Sequence, residues 1–184
     1  MRFAVLALAS LILLAGCTTE RGRAAARANP APCPNVFVLD DASRFVDFEG
    51  DDRTIEAVTR SGEIDDVITA CRYFADVPIK ASMAVAFSVG RTDDSEAETI
   101  PVQYFVAVTR TNRDVIAKEV YEVPVQFKRG QKVVSFVEQI DEIVIPRARA
   151  GTSGVNFEIA VGFQLTEAQY RFNRSGVSLK FPES

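Results

Sequence analysis

Between Ile79 and Val89 the chain alternates without a break. Ile79, Ala81, Met83, Val85, Phe87 and Val89 stand against Lys80, Ser82, Ala84, Ala86 and Ser88. A period of two puts one set on one face of an extended chain, and a helix cannot produce it. Phe157, Ile159, Val161, Phe163 and Leu165 repeat the pattern against Glu158, Ala160, Gly162 and Gln164. Val102, Tyr104, Val106 and Val108 do so more weakly, as do Tyr121, Val123, Val125 and Phe127. Shorter strands are expected around 36–39, 44–48, 55–59 and 67–73. Turn residues punctuate the series at 49–52, 91–94, 111–114, 128–130 and 151–154.

About seven strands at this spacing, with no helices between them, predict an all-β fold: an antiparallel β-sandwich. In strand count and order the ladder resembles immunoglobulin-like and fibronectin type III-like sandwiches. The tryptophan of antibody-type domains is missing, since the chain has none. One stretch is ambiguous. Val133, Phe136, Val137, Ile140 and Ile143 also fit helical spacing, and Asp141-Glu142 interrupts a strand; 143–145 reads as strand and 133–140 stays open. Thr166-Glu167-Ala168-Gln169 has the form of a capping box, which predicts a short C-terminal helix to about Asn173.

The first sixteen residues differ from all of this. Arg2 precedes about a dozen apolar residues, fewer than the roughly 20 that a spanning helix needs. The segment ends in Leu14-Ala15-Gly16-Cys17, which resembles the lipobox of bacterial lipoproteins at every position. That resemblance implies a signal peptide over 1–16, cleavage before Cys17, and a lipid on Cys17. Thr18 stands where an Asp would imply retention at the inner membrane, so the outer membrane is expected, with the domain in the periplasm. Residues 18–32 contain no large apolar side chain and read as a tether of about 20 Å. The expected organisation is therefore 1–16 signal peptide, 17–32 lipidated cysteine and tether, and 33–184 a single sandwich domain.

Composition removes several classes of chemistry. There is no histidine, so imidazole acid–base catalysis and histidine metal sites are closed. A formal net charge of -4 gives no drive toward nucleic acid. No cofactor and no metal are expected. The acidic doublets Asp40-Asp41, Asp51-Asp52, Asp65-Asp66 and Asp93-Asp94 lack calcium-loop spacing and read as turn residues. With Cys17 assigned to the lipid, Cys33 and Cys71 remain as a pair. An oxidising compartment favours a disulfide between them, the alternative being two buried thiols.

One face is unusual. Ser82, Ala84, Ala86 and Ser88 on one strand, with Ala160 and Gly162 on another, are smaller than solvent-facing strand positions usually are. Either the C-terminal helix or the 133–140 segment covers them, or they form a docking face for a partner, with added-strand pairing at an edge as one mode, or they are an ordinary exposed face. The Cys-Pro start, the strand carrying Cys71, and Val161-Gly162-Phe163-Gln164-Leu165-Thr166 with Asn173-Arg174 resemble a family of uncharacterised bacterial envelope lipoproteins. That resemblance brings no activity. The expectation is a non-enzymatic interaction or assembly module, held at the membrane by its N-terminal lipid and binding an envelope protein partner. A carbohydrate- or peptidoglycan-binding module is the alternative, and a carboxylate-pair hydrolase comes last.

Overall fold

The computed structural model describes residues 32–73, 78–112, 114–147 and 152–176. The expected signal peptide, Cys17, nearly all of the tether, and 177–184 lie outside the described residues. Eight strands form two four-stranded sheets: β1 (Asn35–Val38), β2 (Arg44–Phe48), β3 (Val58–Arg72), β4 (Ile79–Arg91), β5 (Glu98–Arg110), β6 (Val115–Phe127), β7 (Val133–Ile145) and β8 (Phe157–Phe163). One sheet runs β1-β8-β5-β6 and the other β2-β3-β4-β7. All pairings are antiparallel except β1 with β8. Among the described residues one α-helix, α1 (Glu167–Arg174), follows β8.

The sandwich is the architecture that the alternation predicts, with a strand order of its own. Immunoglobulin constant-type domains group strands 1-2-5-4 against 3-6-7. Here a meander, β2-β3-β4, and a hairpin, β5-β6, are joined across the layers, and β7 and β8 each return to the opposite sheet.

The core lies where the two alternating faces meet. Phe87 of β4 sits at its centre, 5.0 Å from the Tyr104 ring, 5.2 Å from Phe136 and 5.7 Å from Phe163. Ile79, Val85 and Val89 from β4 face Ile159 and Val161 from β8, all fully buried. Gly62 exists for this packing: a Cβ there would lie 2.2 Å from the Phe45 ring. That ring makes an edge contact with Phe163 across the sandwich, at 5.0 Å.

Two irregularities reshape what the pattern implies. The short strands expected at 55–59 and 67–73 belong to one strand, β3, while 55–57 form a single 3₁₀ turn. The pairing with β4 slips between Ile64 and Asp66, so β3 carries one extra residue there. The ambiguous 133–140 segment is strand throughout, continuous with 143–145. Its pairing slips too: Ala81 faces Ile143 but Met83 faces Ile140, which places an extra residue in β7 at Asp141-Glu142. Each bulge thus swallows an acidic doublet, and all four of those side chains are exposed.

Cys33 and Cys71 form a disulfide, with Cα atoms 5.7 Å apart. It joins the chain just before β1 to the end of β3, and so ties the edge of one sheet to the other. Helix α1 starts with the predicted capping box. Thr166 accepts from the Gln169 backbone N–H at 3.3 Å, and the Gln169 side chain accepts from the Thr166 N–H at 2.7 Å. The helix lies against β2 and the 3₁₀ turn at 40–42. Phe172 meets Phe48 there, and the Asn173 amide donates to the carbonyls of Asp41 and Arg44.

Candidate docking face

The small side chains singled out in the sequence divide between the two sheets. Ala160 and Gly162 point away from the core of the β1-β8-β5-β6 sheet, yet they are buried. A Cβ on Gly162 would lie 2.8 Å from the Ala42 Cβ and 2.9 Å from the Phe105 ring. The 3₁₀ turn at 40–42 and Phe105 therefore close that site, and these two residues belong to no open face. Alternation tells which side of a strand a residue takes; it does not tell which sheet the strand joins.

Ser82, Ala84, Ala86 and Ser88 all lie on the outer side of β4, in the interior of the β2-β3-β4-β7 sheet. Neither element expected to cover them does so. Helix α1 packs on β2, and the 133–140 segment is the neighbouring strand in the same sheet. The register sets their flanks: Ile68 stands beside Ala84 on β3, and Val137 stands beside Ala86 on β7. These are 64% and 55% exposed. Val133 and Val144 are exposed on the same side of β7. A floor of small residues between two taller rows makes a trough along β4.

The trough leads into a groove of about 460 Å³ beyond Ser88. Its floor includes Ser61 and Gly90, and Val46, Ile55, Val58, Phe172 and Val133 line it. Small residues alternating along one central strand carry the sequence signal for the floor. The taller rows were hidden, because Ile68 and Val137 occupy outward positions only after the two bulges shift the phase.

The charge on this face is mainly negative along the trough. Asp65 and Asp66 occupy the β3 bulge, with Glu63 next to them, and Asp141 and Glu142 occupy the β7 bulge. Asp65 leans over the trough and accepts from the Ser88 hydroxyl at 2.7 Å. Glu142 reaches Lys80 at 2.7 Å across the other end. Two of the remaining doublets hold their own turns: Asp52 accepts from the Thr54 N–H at 3.1 Å, and Asp93 from the Ser95 N–H at 2.9 Å. That backbone N–H, together with the Ser95 side chain, holds the Asp93 carboxyl below its ordinary range.

The long sheet edges are poor templates for an added strand. Edge strand β6 carries Pro124, which has no N–H to offer. Edge strand β7 is kinked by its bulge and turns Glu138 toward the core side, close enough for its charge to act on Tyr104. Bulges and inward-pointing charges at an edge discourage further pairing.

Other polar clusters have evident structural work. Arg91 is buried, its guanidinium 4.9 Å from the Phe127 ring centroid, and donates to the carbonyls of Gln131 and Lys128 at 3.0 and 2.9 Å. Glu98 lies 3.6 Å away and also pairs with Arg60. A smaller cleft of about 220 Å³ holds Asp47 and Glu122. Each of those carboxylates already accepts from a glutamine amide, Gln169 at 2.7 Å and Gln103 at 2.9 Å.

No family model matches this chain, and no curated protein does. Among solved structures, a Streptococcus agalactiae AgI/II polypeptide BspA variable (V) domain aligns over 68% of this chain and 74% of its own. Identity is 13% and the TM-score 0.17, so that likeness carries no argument.

Proposed function

We propose that this protein is a lipid-anchored envelope module that works by binding another protein, through the outer face of its β2-β3-β4-β7 sheet. The observation that carries the reading is the trough on β4, which no described element covers. Soluble domains rarely leave large apolar side chains clustered on a central sheet face, and such clusters mark interaction sites. Here Ile68 and Val137 flank Ala84 and Ala86, and Val133 and Val144 are exposed farther along β7, opposite Gly90 and Lys80. The lipobox at Leu14–Cys17 supports the anchor and, through it, a position facing the periplasm.

Anchoring makes a modest affinity sufficient, because confinement at a membrane raises the effective concentration of both partners. A sugar-binding reading would want exposed aromatic platforms. Tyr170 is the large exposed aromatic among the described residues, and it is occupied by Arg174, whose guanidinium lies 5.7 Å from the ring centroid.

The test is photo-cross-linking in intact envelopes. A photoreactive residue at Ile68 or Val137 should yield one discrete protein adduct. The same probe at Val120, exposed on the other sheet, should not. Equal labelling from all three positions, or no adduct from the first two, would reject the docking face.

A further inference from the structure

We infer that the trough receives an amphipathic α-helix of a partner protein, one whose apolar stripe is flanked by lysine or arginine. This rests on the docking-face reading above and specifies its occupant.

Three features of the face select a helix. The rows on β3 and β7 are two strand spacings apart, about 10 Å, which matches the diameter of an α-helix with its side chains. The floor between them is Ser82, Ala84, Ala86, Ser88 and Gly90. Side chains of that size let a helix axis come close to the sheet while Ile68 and Val137 grip its sides. The straight run from Ser82 to Gly90 covers about 26 Å, the length of a helix of roughly 18 residues. An added strand would have to enter at an edge, where Pro124, the β7 bulge and Glu138 stand in the way.

The charge selects the flanks. The two bulges push acidic pairs outward on both sides of the floor, Asp65-Asp66 on β3 and Asp141-Glu142 on β7. An acidic helix would meet like charge on both sides, whereas a helix bordered by cations finds carboxylates on each. The apolar stripe supplies affinity, and the flanks set orientation and encounter rate.

The experiment uses the full-length protein in nanodiscs of zwitterionic lipid, with empty discs as the blank. The probe is an 18-residue synthetic helix with an alanine–leucine stripe and lysine flanks. Two controls replace its lysines by glutamate, or break its helix with central prolines. The lysine peptide should bind best, weaken with salt, and cross-link to a photoreactive residue at Ile68. Ala84→Arg, which fills the floor at a surface position, should reduce its affinity by about tenfold or more. The Asp65→Asn, Asp66→Asn double variant should lose affinity and salt dependence together while keeping its melting temperature.

Equal binding of the glutamate or proline peptide would overturn the proposal, as would indifference to Ala84→Arg. So would a cross-link from Ile68 to a second copy of the chain, or to its own residues 177–184. If the envelope probe at Ile68 captures one protein and the lysine peptide still fails, the docking face stands and the helical occupant falls.

Discussion

Tyr104 and Tyr121 stack with centroids 5.2 Å apart, and both hydroxyls are pushed up to about 12. For Tyr104 the main cause is burial, reinforced by the charges of Glu138 and Glu119; for Tyr121 it is burial, then a hydrogen bond to Glu119 at 2.9 Å. An unfolded tyrosine ionises near pH 10. The unfolded chain therefore gives up its protons first, and alkali draws the equilibrium toward it. Stability should be intact below about pH 10 and fall as pH climbs through about 12, with Tyr104 responsible for on the order of 2 kcal/mol. Denaturant midpoints measured from pH 9 to 12 check this: Tyr104→Phe should flatten the decline, and an unchanged slope would exclude Tyr104 as its source. The same scale shows what the sequence could reveal about single residues. Cys33 and Cys71 were legible as a pair once Cys17 was set aside as the expected lipid site and an oxidising compartment was expected. The burial of Gly162 was not, since the residues that close it, Ala42 and Phe105, lie 120 and 57 positions away in the chain.

Among the elements, those with an unbroken local pattern were readable. The expected strand at 44–48 coincides with β2, and the Thr166–Gln169 box starts the helix. Strands β3 and β7 were obscured by one cause. In β3 the inward residues are Ile64 and then Val67; in β7 they are Ile140 and then Ile143. A bulge turns a spacing of two into three, which splits one strand in two or imitates a helical stripe. The disulfide belongs to this scale, since it fastens the β1 edge to β3 across a separation of 38 residues. Removing both cysteines should cost about 3–4 kcal/mol, mostly by freeing the unfolded chain. Chemical denaturation of the Cys33→Ser, Cys71→Ser protein checks that value, and a loss below about 1 kcal/mol would mean the edge is held by other contacts.

For the whole molecule, the proposed function needs two separable parts: an attachment and a binding face. The Cys17→Ser protein should keep the fold, because the disulfide joins Cys33 to Cys71 and does not use Cys17. It should lose its membrane attachment through lipid, read as release of hydrophobic partitioning in detergent phase separation together with an unshifted thermal melt. Retention in the detergent phase would refute the lipid at this position. The binding face was half visible in the sequence. Its floor could be read from Ser82 to Ser88, but its walls depend on the pairing of distant strands.

The bulge at Asp141-Glu142 has a consequence for how the chain behaves in a crowd. A smooth thirteen-residue edge would let copies stack strand upon strand, and an anchor that concentrates copies in one plane would favour such stacking. The extra residue breaks the repeat on which a growing fibril depends. Its two carboxylates also keep approaching copies apart. One inserted acidic residue thus serves both solubility and recognition: it spoils the edge for identical neighbours while marking the adjoining trough for a cationic guest.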